Sequence, residues 1–265
     1  MLKSTYKILK RLDLSTYKFV INEEFKNLEP FLLNIKQLFS QNAHSIHKAR
    51  NELKVIEYDG LKLVVKSFKV PNLLNRYVYA HFKPSKAKKS YDNAVTLLTL
   101  GINTPTPVGY IEFFEHGLLK ESFFVSLMFE YDFTIREPLL DKNFTNRDTI
   151  FQTFGEFTFD LHNNGVFHKD YSPGNILIKK GLNGYIFSIV DINRMEFKDL
   201  YYDERLKNFA KLWAKDEDLI IILKAYAKSA GMNEKRAIDD GIKYSQAHKN
   251  RINFKKRLKG IEVVD

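Results

Sequence analysis

Residues 168–178 read HKDYSPGNILI, which sets a histidine, a carboxylate and a side-chain amide within eight residues, breaks the backbone at Pro173-Gly174, and then enters an apolar run. A turn that only reverses the chain has no use for that set of groups. Phosphoryl transfer does, because it asks a protein for position and charge: a cation on the nucleotide phosphates, ligands for Mg2+, and a base for the incoming hydroxyl. Asp170 is placed to accept the hydroxyl proton. Asn175 offers a carbonyl oxygen to the metal, and Asp191, at the end of the apolar run YIFSIV, offers the second hard oxygen ligand that Mg2+ prefers. Lys66, in LKLVVKSF, is the candidate clamp on the α- and β-phosphates of ATP, and Asp92 is its best-placed acidic anchor.

These residues need particular elements to hold them. The 16-residue interval from Asn175 to Asp191 suits a strand–turn–strand hairpin that brings both beside one ion. NELKVIEY and LKLVVKSF are strand-like runs joined by Asp59-Gly60, a hairpin signal because both turn residues tolerate positive φ. The stretch from about 85 to 100, which carries Asp92, suits a helix stopped by Gly101. Two further strands are expected at 108–114 and 123–131. From Thr145 to Gly165 the residues Ile150, Phe154, Phe157 and Leu161 recur on one helix face, and Asn163-Asn164-Gly165 ends that helix. A short strand and loop follow, then ILIKK, a turn at GLNG, YIFSIVDI, and a mostly helical remainder beyond about 199. The expected fold class is α+β: an antiparallel β-rich N-lobe with one helix over 1–132, and a mainly helical C-lobe over 133–265.

At 265 residues and 44% hydrophobic content the chain can bury a substantial core. No apolar run approaches the roughly 20 residues that span a bilayer, and no leader pattern opens the sequence, so a cytoplasmic location is expected. The absence of cysteine excludes disulfides and thiolate metal sites. A net charge of +10 calls for an acidic partner. The cations gather in KILKR (7–11), KPSKAKK (83–89) and HKNRINFKKRLKG (248–260), which suits an anionic membrane surface. No recognised nucleic-acid motif accompanies them, so no nucleic acid is expected.

HKDYSPGN resembles the protein-kinase catalytic loop H-R-D-L-x-x-x-N, VVK resembles the lysine motif of the third kinase strand, and VDIN occupies the place of D-F-G. All three occur in kinase order on the expected elements, which identifies the fold as protein-kinase-like. More narrowly, LVVKSFKVPN, SKAKKSYDNAVTLLTLGINTPTPVGYIE, HKDYSPGNILI and VDINRMEF resemble the lipopolysaccharide core kinases, the Kdo and heptose kinases of Gram-negative bacteria, over about 45–215. The resemblance implies transfer of the ATP γ-phosphate to an inner-core sugar hydroxyl on lipid A, at the cytoplasmic face of the inner membrane. An anionic glycolipid such as Kdo-lipid A is then the expected partner for the positive charge. Glu130 and Tyr131 fall where a kinase hinge holds adenine, a role that uses backbone groups.

The sequence departs from the kinase pattern at several points. QNAHSIHKARNELK, where a glycine-rich loop would cover the phosphates, has no glycine; His44, Ser45, His47 and Lys48 are the candidate substitutes. Asp92 is one methylene shorter than the usual glutamate, Asn193 replaces the glycine of D-F-G, and no A-P-E segment follows. His162 and His168 are read as orienting and packing residues, and Arg194 as either a contact for substrate phosphate or a structural ion pair. Two other readings use the same residues: a small atypical protein kinase, and an inactive pseudokinase serving as a binding module. Ser172, where protein kinases usually carry lysine, speaks against the first, and joint retention of Lys66, Asp170, Asn175 and Asp191 against the second.

Overall fold

Alternating apolar residues need a sheet with a covered face, and the first part of the chain supplies both. A computed structural model describes residues 4–8, 15–42, 45–48, 51–70, 72–182 and 184–262; of residues 4–8, 15 and 45–48 it describes the backbone. His44 and the basic residues at 9–11 lie outside the described residues. The chain divides into two units, residues 1–129 and 130–265.

The first unit is built on strands β1 (Ser4–Ile8), β2 (Ser15–Asn22), β3 (Ser45–Lys48), β4 (Asn51–Tyr58), β5 (Leu61–Phe68), β6 (Pro107–Glu115) and β7 (Leu118–Leu127). They form one antiparallel sheet in the order β1-β2-β6-β7-β5-β4-β3. Asp59 (φ 51°) and Gly60 (φ 72°) make the β4–β5 turn with both residues left-handed, as their identities predict. The strand expected at 123–131 instead runs from 118 to 127. A tight reversal at His116-Gly117, also left-handed, starts it early, and its ladder to β5 ends at the Leu63–Leu127 pair.

One sheet face is covered by the short helices α1 (Glu29–Leu33) and α2 (Ile35–Gln41). Phe31, Leu32, Ile35 and Phe39 pack there with Leu63, Val65, Ile111, Phe123 and Val125. Helix α3 (Leu73–His81) follows β5, and α4 (Lys86–Thr99) is the helix read from the sequence. Ser85 caps α4 by accepting from Lys88 N at 3.1 Å. Its Tyr91 packs on Tyr110 of β6, with ring centroids 5.6 Å apart.

The second unit contains β8 (Phe133–Thr134), α5 (Arg136–Leu140), α6 (Arg147–Asn163), β9 (Val166–His168), β10 (Ile176–Gly181), β11 (Gly184–Ile189), β12 (Met195–Phe197), α7 (Tyr202–Phe209), α8 (Asp216–Ser229) and α9 (Glu234–Arg257). Ile150, Phe154 and Leu161 are fully buried along the predicted face of α6, and Phe157 stacks on Phe187 of β11 at 5.0 Å. Gly165 (φ 69°) turns the chain out of the helix toward β9. Among the described residues no helix is long and apolar enough to cross a membrane.

Gly155 brings α6 and α8 into close approach. A Cβ there would stand 2.4 Å from the Ile222 carbonyl oxygen, a backbone atom that cannot swing aside. Gly155→Ala is therefore expected to lower unfolding free energy by about 1–3 kcal/mol, read as an earlier midpoint in urea. An unchanged midpoint would contradict the close helix contact.

Candidate active site

The loop from His168 to Asn175 owes its shape to hydrogen bonds that its own sequence supplies. The Asp170 backbone N–H donates to His168 Nδ1 at 3.1 Å. The ring proton therefore sits on Nε2, which donates to the Val190 carbonyl at 2.9 Å. Burial holds this imidazole below its ordinary pKa, so it acts as a neutral spacer between the loop and the end of β11. Its role is orientation, in line with the sequence reading.

Pro173–Asn175 form a single 3-10 turn. Asn175 Nδ2 donates to the Asp170 carbonyl at 2.8 Å, which fixes the amide and leaves Oδ1 as its acceptor face. Asn175 also accepts Val190 N–H at 2.9 Å through its backbone carbonyl. The β10–β11 register pairs Ile176 with Ile189, so Asn175 sits opposite Val190 and one residue from Asp191. This is the hairpin that the interval between the two candidate ligands requires.

Asp191 leaves the strand in a left-handed conformation (φ 56°, ψ 45°), tolerated by aspartate better than by most residues. Asn193 Nδ2 donates to Asp191 Oδ1 at 2.9 Å, and Asn193 is itself buried. Asn193 thus orients the Asp191 carboxylate two residues before it. The Asp170 carboxylate is partly exposed, with Arg194 Nη1 3.8 Å from Oδ2. In that solvated setting the pair contributes little to stability.

Gly174 admits a residue that the sequence did not flag. A Cβ there would meet the Arg136 guanidinium at 2.6 Å, so the bare backbone lets that cation lie against the loop.

The loop rests on a buried polar chain. Asn208 Nδ2 donates to the His168 carbonyl at 3.0 Å, and Asn208 Oδ1 accepts from His162 Nε2 at 3.1 Å. His162 Nδ1 in turn accepts the Tyr226 hydroxyl at 3.0 Å. Below it, Tyr171 is fully buried, paired with the Thr158 hydroxyl at 2.9 Å and stacked on Phe154 at 5.7 Å. Asn208 and Tyr226 have no spacing signal in the sequence, because their bonds join elements remote along the chain.

Burial pushes the His162 pKa down to about 4 from its ordinary 6.5. The unfolded chain then binds the proton first, so this contribution is complete above about pH 6.5 and is lost as pH falls toward 4, amounting to about 3 kcal/mol at the acid limit. The measurement is unfolding free energy against pH for wild type and His162→Gln. The wild-type slope in that window should exceed the variant's by nearly one proton; identical slopes would contradict a buried neutral His162.

In the first unit, register places Lys66, Phe124 and Tyr110 in one row across β5, β7 and β6. Tyr110 meets Tyr91, so Lys66 lies on the sheet face that α4 covers. Its Nζ stands 5.4 Å from the Phe68 ring centroid. On α4 the Asp92 carboxylate accepts Lys88 Nζ at 2.8 Å, a contact with a residue one turn earlier. Glu130 and Tyr131 are exposed residues between β7 and β8. Of the phosphate-loop candidates, Ser45, His47 and Lys48 lie on β3.

The donor set suits Mg2+. Among the described residues no group of three or more His, Cys, Asp or Glu side chains gathers for a metal. An amide oxygen and one carboxylate, Asn175 and Asp191, match an ion that keeps waters and takes its remaining oxygens from nucleotide phosphates.

The sequence matches no family model and no curated relative. A solved structure, "WaaP in complex with acyl carrier protein", superposes with a TM-score of 0.59 at 17% identity, covering 88% of this chain and 97% of that one. The fold is protein-kinase-like. In this fold Lys66 lies on β5, HKDYSPGN runs from the end of β9 to the start of β10, and VDIN follows β11.

Proposed function

We propose that this chain is an ATP- and Mg2+-dependent kinase that phosphorylates a sugar hydroxyl of Kdo or another inner-core sugar on lipid A-linked lipopolysaccharide. The carrying observation is the Asp170–Asn175–Asp191 set, held by the Asn175–Asp170 hydrogen bond and the β10–β11 register. The kinase-like fold, the likeness to WaaP and the sequence resemblance to the lipopolysaccharide core kinases support the acceptor class.

Bound Mg-ATP supplies the transferable phosphoryl group and the cation that neutralises its charge. Asp170 takes the proton of the acceptor hydroxyl as that oxygen bonds to the γ-phosphorus, the bond to the β,γ-bridging oxygen breaks and ADP leaves. Asn175 Oδ1 and the Asp191 carboxylate would hold the metal, and Asn193 keeps Asp191 oriented. Lys66 neutralises charge on the nucleotide phosphates, with Asp92 as its proposed partner, and the backbone at Glu130 and Tyr131 receives adenine. His168, Asn208 and His162 position the loop without touching the reacting atoms.

The reaction occurs at the cytoplasmic face of the inner membrane, where both ATP and the lipid-linked acceptor are met. Titration calorimetry with ATP, in Mg2+ and in chelator, separates the enzyme from a pseudokinase: Mg2+-dependent binding is expected, and its absence would overturn the catalytic reading. Presenting Kdo-lipid A and a serine-rich peptide side by side then distinguishes a glycolipid kinase from an atypical protein kinase.

A further inference from the structure

Between Asp59 and Asp92 the sequence contains no acidic residue, while Lys69, Arg76, Lys83, Lys86, Lys88 and Lys89 all fall there. In the middle of this stretch stands α3, a nine-residue helix none of whose residues is buried. Its large apolar side chains are instead exposed: Leu73 by 69%, Leu74 by 79%, Tyr77 by 51%, and Phe82 just beyond it by 73%.

The exposure has a direction. Leu73, Leu74, Tyr77 and His81 share about 100° of the helix circumference. Arg76 lies on another side, where Nε donates to the Leu119 carbonyl at 2.9 Å and fastens the helix to β7. Asn72 caps the N-terminus by accepting Asn75 N–H at 3.0 Å. Past the last turn, the Phe82 ring packs 5.9 Å from that of Tyr77, which extends the apolar stripe. The helix is thus held to the sheet by its edge and presents its stripe outward.

Exposed apolar residues scattered singly are ordinary, but a continuous stripe with a cationic rim marks a docking surface. We infer that α3 and its rim seat the chain on an anionic lipid bilayer. Leucines and phenylalanine enter the boundary between headgroups and acyl chains, tyrosine stays at the headgroup level, and the lysines reach lipid phosphates. Charge complementarity favours this occupant: Arg76 lies near Glu115 and Lys88 is paired with Asp92, but Lys69, Lys83, Lys86 and Lys89 leave the rim net positive, so a second copy would bring one cationic rim against another. The inference concerns where the chain sits and stands apart from the chemistry at Asp170.

The test is co-sedimentation of the full chain with vesicles of equal parts phosphatidylglycerol and phosphatidylcholine, beside vesicles of phosphatidylcholine alone. The chain should pellet with the anionic vesicles and be released by salt. Leu73→Ser/Leu74→Ser, at positions with no core contact to lose, should weaken that partition by about tenfold or more. Lys83→Gln/Lys86→Gln/Lys89→Gln should abolish the preference for anionic lipid, and Asp170→Ala should bind as wild type. Equal partition of wild type and both surface variants would overturn the inference. So would a wild-type dimer that the leucine variant converts to monomer with no vesicle binding, which would make α3 a self-association face. Circular dichroism melting of each variant separates loss of docking from loss of fold.

Discussion

Asp170→Ala is expected to abolish detectable turnover while Mg-ATP affinity stays within about twofold of wild type. General-base catalysis is worth about a hundred- to ten-thousandfold, and a kinase that has lost its base retains the positioning of its nucleotide. The geometry supports this split. Asp170 holds Asn175 through its backbone carbonyl, so removing the carboxylate leaves the hydrogen bond that orients the metal-binding amide in place. It also leaves the His168 contact, which is made by the Asp170 backbone N–H. Phosphoryl transfer followed by ADP release, with ATP affinity measured separately, checks the prediction. Wild-type turnover in the variant would remove Asp170 from the role of base; loss of nucleotide binding would mean that its side chain acts on the metal.

Asp191→Ala is expected to abolish the Mg2+ dependence of ATP binding, with affinity in Mg2+ falling by about 10–100-fold or more and affinity in chelator unchanged. Alanine carries a second effect here, because Asp191 occupies left-handed backbone, which costs alanine about 1 kcal/mol. Asp191→Asn separates the two contributions. Asparagine tolerates that conformation and keeps an Oδ1 acceptor for Asn193, so the fold stays intact while the charge is removed. Calorimetry on both variants should show the same lost Mg2+ dependence and an earlier melting transition for alanine alone. Unchanged Mg2+ dependence in Asp191→Asn would exclude the carboxylate as a ligand.

What the sequence made legible follows from the range of the interactions involved. The Asp59-Gly60 turn, the α4 helix and the buried stripe of α6 are local patterns, and the structure bears them out. The proximity of Asn175 and Asp191 was also readable, since a hairpin converts sequence interval into register. Long-range polar contacts were not. His162 was read as an orienting residue, but its partners Asn208 and Tyr226 lie 46 and 64 residues away, and nothing in the sequence between them marks the pairing. Helices α1 and α2 escaped for another reason: each is five to seven residues long, too short for a full amphipathic period, and exists because the sheet face needs cover. Asp92 also meets Lys88 one turn earlier on α4, a short-range helix pair that reading it as the anchor for Lys66 left out.

The most direct measurement of the central claim is mass spectrometry of Kdo-lipid A after incubation with the purified chain and Mg-ATP, beside an Asp170→Ala control. A gain of one phosphate on the sugar, absent from the control, is the predicted result. An unmodified glycolipid under conditions in which the chain binds Mg-ATP would contradict the proposed acceptor.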